Sequence, residues 1–384
     1  MPTLVTTTRG TGVLDTETRR VRDVAPALAQ LEPDAGPLVT LMAKLRSKVT
    51  VDPKIEWFED ELLPRFDKLD AALTASATTM TVVNYKYFRS GDLVRINKNE
   101  IARVTATPTT TAVTIKRGVG EVTGTAASAN DQLHILSNSN QEGATRRALL
   151  STQRVPVFNY CQIMRHPFGY TETARATKTF AGQDEEGEQA KQLIEHKKDI
   201  EHMCLLGQRN EDVSGTHPER TSRGIIRYIT TNVTDAGGEL TEPEFEDSLR
   251  TSYRYGSATK LLFCSPKLIT VINGFARGKL KTVSGDKSYG ITLTQYESAG
   301  RKVLLHEHRL LTNDSLNDLT GIAGYGILLD IEDLMMRYMR GRMTTLKTNV
   351  QANDADERID EYLSEVGLEA HQERKHGLLK GVTS

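Results

Sequence analysis

The closest approach to a metal site in this sequence is the pair His306 and His308. Side chains two residues apart on a strand point to the same face, so both imidazoles could reach one zinc ion. The HExxH spacing of helical zinc proteases is absent, because position 310 is Leu310. The pattern therefore favours hydrogen-bonded or solvated strand histidines, and we predict neither a metal nor a cofactor.

A second candidate for chemistry is Cys264-Ser265, which follows an apolar run and could supply a nucleophile at a strand-to-helix turn. Such an elbow needs the small flanking residues of a G-x-S-x-G pattern. Here Phe263 and Pro266 flank the pair, and Pro266 suits the first position of a helix. We predict no catalytic residues, and hence a protein that is not an enzyme.

The charge balance argues against a protein whose main task is to bind nucleic acid. Lysine and arginine total 49 and aspartate and glutamate 50, a formal charge of -1, whereas a nucleic-acid-binding domain usually has a basic excess. We interpret Arg337, Arg340 and Arg342 as a solvated strand face or as partners in ion pairs between subunits, and favour the ion pairs. Any contact with DNA should be loose and local.

The three cysteines form no CxxC pair, the first residues lack the pattern of a secretion signal, and no apolar run reaches 18 residues. These features predict a protein made in reducing cytoplasm that does not enter a membrane. Residues 1–50 are polar and rich in threonine, with one short helical pattern. This segment is expected to be disordered or to lie against a neighbouring chain, and composition leaves both open. The helical pattern comprises Leu38, Leu41, Met42 and Leu45.

Residues 54–66 predict an extended amphipathic stretch, and extended pieces are also predicted at Val155–Tyr160 and Tyr170–Ala176. Between them, short runs rich in valine, isoleucine and threonine alternate with turn residues, which predicts a small β-barrel or sandwich. The runs are Met80–Val83, Asp92–Ile96, Ile101–Thr107, Ala112–Lys116 and Gln132–Leu136.

The clearest helix is predicted from about Gln183 to Gly207, with carboxylates in its first turn, where the helix dipole favours them. Leu193, Ile194, Ile200 and Cys204 recur on one side, and Lys197 should pair with Glu201 one turn away. A compact α/β region with a mixed sheet should follow. Its predicted strands are Ile225–Ile229, Leu261–Cys264, Ile291–Tyr296, Lys302–His306 and Gly326–Asp330, and its predicted helices are Thr241–Tyr255 and one beginning at Pro266.

The order of these parts resembles the Hong-Kong-97 (HK97-like) fold of tailed-phage major capsid proteins. The stretches that carry the resemblance are KIEWFEDELLP, GDLVRINKNEIARVTA, AVTIKRGVG, RTSRGIIRYI and ERIDEYLSEVGLEAHQERKHGLLKGV. It extends from about Lys54 onward and is closest to the subfamily with a β-rich insertion. It implies an α+β capsid fold with an N-terminal arm, an extended loop, a peripheral domain with a long spine helix, an axial α/β domain and a small all-β insertion.

The resemblance implies these boundaries: arm 1–53, extended loop and peripheral strands 54–70 and 138–182, insertion 71–137, spine 183–222, axial domain 223–325 and C-terminal peripheral strands 326–384. It implies contacts between subunits, and a spine helix packed on a sheet formed partly by the C-terminal strands. The candidate contact residues are Ile55, Trp57, Phe58, Glu59, Leu62, Arg65, Lys279, Lys281, Lys287 and Tyr289.

The implied function is a subunit that self-assembles into hexamers and pentamers of an icosahedral shell around packaged double-stranded DNA. The implied partners are copies of itself, a separate scaffolding protein, a portal and a decoration protein, with assembly in the host cytoplasm and residence in the virion capsid. Three alternatives remain open. They are an encapsulin-like nanocompartment shell, an α/β hydrolase or metalloenzyme using His306 and His308, and a tail or adhesin component.

Overall fold

The computed structural model describes residues 37–45, 47–96, 100–177, 185–275, 280–281, 294–298, 301–311 and 322–383. Two compact units divide the chain: one is Phe58–Val157, and the other combines the parts before and after it. The helices in the described ranges are α1 (Pro37–Leu45), α2 (Glu172–Ala176), α3 (Glu185–Leu206), α4 (Ile225–Tyr228), α5 (Glu242–Ser252) and α6 (Pro266–Phe275).

Strands account for more of the described chain than helices, as the runs of β-branched residues predict. In chain order the strands are β1 (Ser47–Thr50), β2 (Lys54–Glu59), β3 (Phe66–Lys68), β4 (Thr79–Thr81), β5 (Asp92–Ile96), β6 (Glu100–Val104), β7 (Ala112–Lys116), β8 (Gln132–Asn138), β9 (Val155–Tyr160), β10 (Gln162–Thr171), β11 (Asn210–Asp212), β12 (Glu219–Thr221), β13 (Val233–Gly238), β14 (Thr259–Cys264), β15 (Leu280–Lys281), β16 (Thr294–Ser298), β17 (Arg301–Glu307), β18 (Gly326–Leu329), β19 (Leu334–Met339), β20 (Thr345–Lys347), β21 (Glu357–Ala370) and β22 (Gly377–Val382).

The unit Phe58–Val157 is built on a six-stranded antiparallel sheet with the order β3-β8-β5-β6-β7-β4. Backbone hydrogen bonds from Asp70 N to Thr81 O (2.9 Å) and from Val83 N to Lys68 O (3.2 Å) join the segments that follow its two edge strands. These bonds close the sheet into a barrel, which removes exposed strand edges. Alternate residues of each strand are buried, so the predicted period of two and the predicted barrel are confirmed.

One buried ion pair lies at the edge of the barrel core. Glu100 is fully buried, and its Oε2 accepts hydrogen bonds from Arg117 Nη2 (2.5 Å) and from the backbone N–H of Thr125 (2.9 Å). Burial alone would raise the pKa of Glu100, but the hydrogen bonds from Arg117 and Thr125 outweigh burial and hold this pKa below its usual value. The carboxylate is therefore charged inside the barrel because its partners are present.

A five-stranded sheet in the other unit has the order β1-β19-β21-β10, with β20 also paired to β21. β1 runs parallel to β19, whereas β10 and β19 both run antiparallel to β21. Helix α3 packs on β10 and β21, with Ile200 and Cys204 buried and Leu193 and Ile194 half-buried. The predicted apolar side and its packing on C-terminal strands are confirmed, while Gln183 and Asp184 lie outside the described residues.

The same unit contains a seven-stranded mixed sheet with the order β13-β22-β18-β14-β17-β16-β15. Its apolar core includes Phe245 and Leu249 of α5 together with Leu268 and Ile272 of α6. The Ser265 hydroxyl accepts a hydrogen bond from Leu268 N at 3.2 Å, so Ser265 caps α6 and Pro266 begins it. The mixed sheet and both predicted helices are confirmed.

Two expectations about local structure are wrong. Ile225–Ile229 is not a strand, because residues Ile225–Tyr228 form the short helix α4. The run Tyr170–Ala176 ends its strand at Thr171, whose hydroxyl accepts from Ala174 N (3.2 Å) and begins α2. The predicted C-terminal segment 326–384 is divided between two sheets, since β18 and β22 belong to the seven-stranded sheet and β19 and β21 to the five-stranded sheet. Strands β18 and β22 are largely buried, and so they need layers on both faces.

We expect Arg117→Leu to destabilise the barrel by about 3 to 5 kcal/mol, because it leaves the Glu100 carboxylate buried without its cation. In the wild type this contribution is present above about pH 4.5 and is lost as the pH falls through the depressed pKa of Glu100. Urea unfolding at pH 7 and at pH 3.5 measures both effects. The control Lys86→Leu alters an exposed lysine of the same barrel and should change stability by less than about 0.5 kcal/mol. Equal stability of Arg117→Leu and wild type at pH 7 would contradict this account.

Candidate assembly site

The candidate contact residues within Lys54–Leu62 differ in their burial. Ile55 and Trp57 are buried within their own chain, and the Trp57 ring lies 5.8 Å from the ring of His371. Their side chains are covered by their own chain, and a role between subunits stays a prediction for both. Phe58 is 69% exposed and Leu62 is 93% exposed, so both present large apolar side chains to solvent.

The other candidates remain predictions. Glu59 is half-buried, while Arg65 is exposed and its Nη1 lies 3.4 Å from the carbonyl oxygen of Leu136. Lys281 lies in β15 opposite Gln295 of β16. Lys279, Lys287 and Tyr289 lie outside the described residues.

The end of the predicted arm is anchored to its own chain through Glu201. Leu38, Leu41 and Met42 of α1 are buried, which confirms the predicted short helix. The carboxylate of Glu201, on α3, accepts hydrogen bonds from the first free backbone N–H groups of α1: Leu38 N at 2.9 Å and Val39 N at 2.7 Å. A carboxylate at this position satisfies unpaired donors and complements the positive end of the helix dipole.

His308 completes this cluster from the seven-stranded sheet. Its Nε2 lies 2.6 Å from Oε1 of Glu201, and both side chains are fully buried. The backbone N–H of His308 donates to the carbonyl oxygen of Cys264 (2.8 Å), so the ring is held at the end of β17. One buried carboxylate thus links α1, α3 and the seven-stranded sheet.

The sequence interpretation missed this role of Glu201. It paired Glu201 with Lys197, but Lys197 is exposed, whereas Glu201 is buried and turned toward α1. The available signal was that Glu201 lies two turns after Ile194 of the apolar face and one turn before Leu205, which is buried. An acidic residue in a buried stripe requires a partner, but the stripe does not identify that partner.

The two patterns considered for chemistry have structural roles here. His308 bonds to Glu201, and among the residues with described positions no group of three or more histidine, cysteine, aspartate or glutamate side chains could hold a metal ion. Cys264 is buried, and burial raises the pKa of its thiol far above the ordinary value. Among the residues that the structure describes, no helix is long and apolar enough to span a bilayer.

Arg337 and Arg342 form ion pairs within the chain, which corrects the preference for pairs between subunits at these two positions. Arg337 of β19 pairs with Glu369 of β21, and Arg342, which follows β19, lies with its Nε 2.6 Å from Oε2 of Glu365 on β21. Arg340 is exposed.

A histidine pair fastens α3 to the five-stranded sheet. The buried His196 of α3 lies with its Nε2 2.6 Å from the hydroxyl of Ser364 on β21. Its Nδ1 lies 2.9 Å from Nδ1 of His166 on β10, and His166 Nε2 lies 3.2 Å from Asp199. Burial, reinforced by electrostatic repulsion from His166, lowers the pKa of His196 to about 4. The neutral imidazole is therefore the form that the fold selects.

The family model of the SU10 major capsid protein matches residues 4–383. The chain belongs to this family. A curated relative, the major capsid protein of Pseudomonas phage PaMx41, is 23% identical over 244 residues, which cover 60% of this chain and 57% of the relative. The matched region thus spans little more than half the length of that relative. Membership of the family, together with the observed order of α1, β2, α3 and the two sheets, confirms the α+β, HK97-like fold.

Two solved structures extend the comparison. A structure from Mycobacterium phage Bobi has a TM-score of 0.49 and 7% identity, covering 98% of this chain and 99% of the other. An encapsulin complex from Synechococcus elongatus has a TM-score of 0.43 and 12% identity, covering 60% of this chain and 78% of the other.

We expect Glu201→Gln to loosen α1, because an amide offers one acceptor oxygen where the carboxylate offers two. The lost charge-assisted hydrogen bond should lower the local stability of α1 by about 1.5 to 3 kcal/mol. Hydrogen exchange of the backbone amides of residues 37–45, in protein that has not assembled into shells, measures the change. The control Glu195→Gln removes an exposed carboxylate from the same helix and should leave that exchange unaltered. If both variants exchange like the wild type, Glu201 does not hold the arm.

We expect the free energy of unfolding to fall as the pH drops from about 6.5 to about 4, because unfolded chains bind a proton at position 196 that the native state excludes. One such site contributes a slope of about 1.4 kcal/mol per pH unit in this window. His196→Gln should flatten the profile by this amount while leaving His166 and Asp199 in place. Unfolding by urea at half-unit pH steps tests it; parallel profiles for variant and wild type would rule it out.

Proposed function

We propose that this chain is a major capsid protein that self-assembles into hexamers and pentamers of an icosahedral shell enclosing double-stranded DNA. The observation that carries the proposal is the match of the SU10 major capsid protein model to residues 4–383. The name of the curated relative from phage PaMx41 agrees with this proposal. The predicted activity is assembly, and we infer that the chain is not an enzyme.

The architecture is physically suited to this task. A shell subunit makes its main contacts at its sides, so exposed apolar side chains on extended segments favour binding to neighbours. Phe58, Leu62 and Val155 provide such side chains on β2, on the segment that follows it, and on β9. Many weak contacts then add through multivalency, because closure of rings holds each subunit in several places.

We assign the five-stranded sheet with α3 to the peripheral domain and the seven-stranded sheet with α5 and α6 to the axial domain. This assignment moves Gly326–Leu329 and Gly377–Val382 from the predicted C-terminal peripheral strands to the axial domain, in accordance with the strand order. The unit Phe58–Val157 contains the predicted insertion 71–137 and extends beyond it at both ends.

The partners proposed for the assembled protein follow from the same function. They are other copies of the chain, a separate scaffolding protein, a portal and a decoration protein. The shell assembles in the host cytoplasm and becomes the virion capsid. Contact with the enclosed DNA is loose, in keeping with the formal charge of -1.

An encapsulin-like shell is the alternative with the same subunit architecture, and what the shell encloses separates the two. Purified protein examined by negative-stain electron microscopy should contain closed polyhedral particles. Particles from infected cells should hold nuclease-protected DNA, whereas an encapsulin would enclose a protein cargo. Stoichiometric zinc in a monomeric protein would instead favour the metalloenzyme alternative. The proposed function would be overturned if the recombinant protein formed no particles and purified virions did not contain the chain.

A further inference from the structure

The outer surface of the barrel carries four cations on four of its strands. Lys68, Arg95, Arg103 and Lys116, here called the basic band, occupy outward positions on β3, β5, β6 and β7. The carboxylates of the six barrel strands all point inward. They are Asp67, which bonds to Asn84, Asp92, which pairs with Arg147, and Glu100, which pairs with Arg117.

The positions within the band are electrostatically unfavourable in an isolated subunit. Arg103 lies directly opposite Lys116 on the neighbouring strand, and like charges in directly opposed positions destabilise a sheet. Within the described ranges, Lys68, Arg103 and Lys116 form no ion pair with a carboxylate, and the buried Nε of Arg103 makes no hydrogen bond. The five-stranded sheet differs, because its arginines at 337 and 342 each face a glutamate.

Apolar side chains lie among these cations. Phe66 stacks on His134 with ring centroids 4.2 Å apart, and His134 is directly opposite Arg95 in the strand register. Leu93 and Ile101 are half-buried at outward positions beside Arg103 and Arg95. A phosphate backbone would satisfy the charges and leave the apolar groups uncovered. A partner with both acidic and apolar side chains would cover the whole surface.

The chain itself contains a segment with this composition. Phe58 and Leu62 are the two strongly exposed apolar residues described above, and Glu59, Asp60 and Glu61 lie between them. We propose that the basic band of one copy binds the acidic segment Phe58–Leu62 of a second copy. This inference rests on the proposed shell function and specifies one contact through which neighbouring subunits associate. Electrostatic complementarity then sets the register, and Phe58 and Leu62 supply apolar contact area.

A charge exchange tests this pairing directly. The variant Arg103→Glu with Lys116→Glu, and separately the variant Asp60→Lys with Glu61→Lys, should each weaken association about tenfold or more, seen as loss of sedimenting particles near 0.1 M salt. Combining all four substitutions in one chain restores opposite charges across the contact and should recover particles. Thermal unfolding of each variant verifies that the barrel is folded. The control Lys86→Glu reverses an exposed charge of the barrel outside the band and should assemble like the wild type.

Three results would overturn the pairing. The first is wild-type assembly by both charge-reversed variants, and the second is a fourfold variant that is folded but assembles no better than either parent. The third is loss of heparin or DNA binding by Arg103→Glu with Lys116→Glu while assembly is unaltered, which would assign the band to nucleic acid. In each of these three cases, the proposed function still holds as long as the wild type forms particles. If the wild type forms no particle, salt-sensitive oligomers lost on charge reversal still support the pairing, and a strictly monomeric wild type overturns it.

Discussion

The buried carboxylate of Glu201 is the constraint around which the larger unit is organised. A charge removed from water must be matched by donors, and here the donors come from two distant parts of the chain: two backbone N–H groups of α1 and the imidazole of His308. Helix α3 also binds the five-stranded sheet through His196. The helix therefore does more than fill space between layers, because its polar groups determine which elements may pack against it.

A second buried charge joins the seven-stranded sheet to the connection between the two C-terminal strands. Lys260 on β14 is fully buried, and its Nζ donates to the carbonyl oxygens of Ser252 (2.7 Å), Tyr255 (2.9 Å) and Lys375. Burial lowers the pKa of Lys260 to about 8. The ammonium satisfies carbonyls at the end of α5 and in the turn before β22, so it orients the final strand toward the seven-stranded sheet.

The chain uses its charged side chains differently in its different parts. In the five-stranded sheet, arginine and glutamate neutralise each other across strands, which gives a surface that is complete within one subunit. In the barrel strands, the carboxylates point inward and have partners there, whereas the cations of the basic band point outward. In a subunit whose net charge is near zero, such a local excess of positive charge favours one relative orientation of two copies over others. Neutral overall composition is thus compatible with strongly polar local surfaces.

The sequence by itself determined the elements whose signals are local. Alternating apolar residues in Asp92–Ile96 and Ala112–Lys116 predict half-buried strands, and Pro266 after Ser265 predicts the beginning of α6; the structure contains both. The order of such elements was enough to indicate the capsid fold. Only the tertiary structure decided the partners: Glu201 bonds to a helix 163 residues away, Trp57 turns into the core, and β22 joins a different sheet from β21. Periodicity indicates that one face of an element is buried. It does not identify the group that covers this face, because that group comes from distant residues whose position local propensity does not specify.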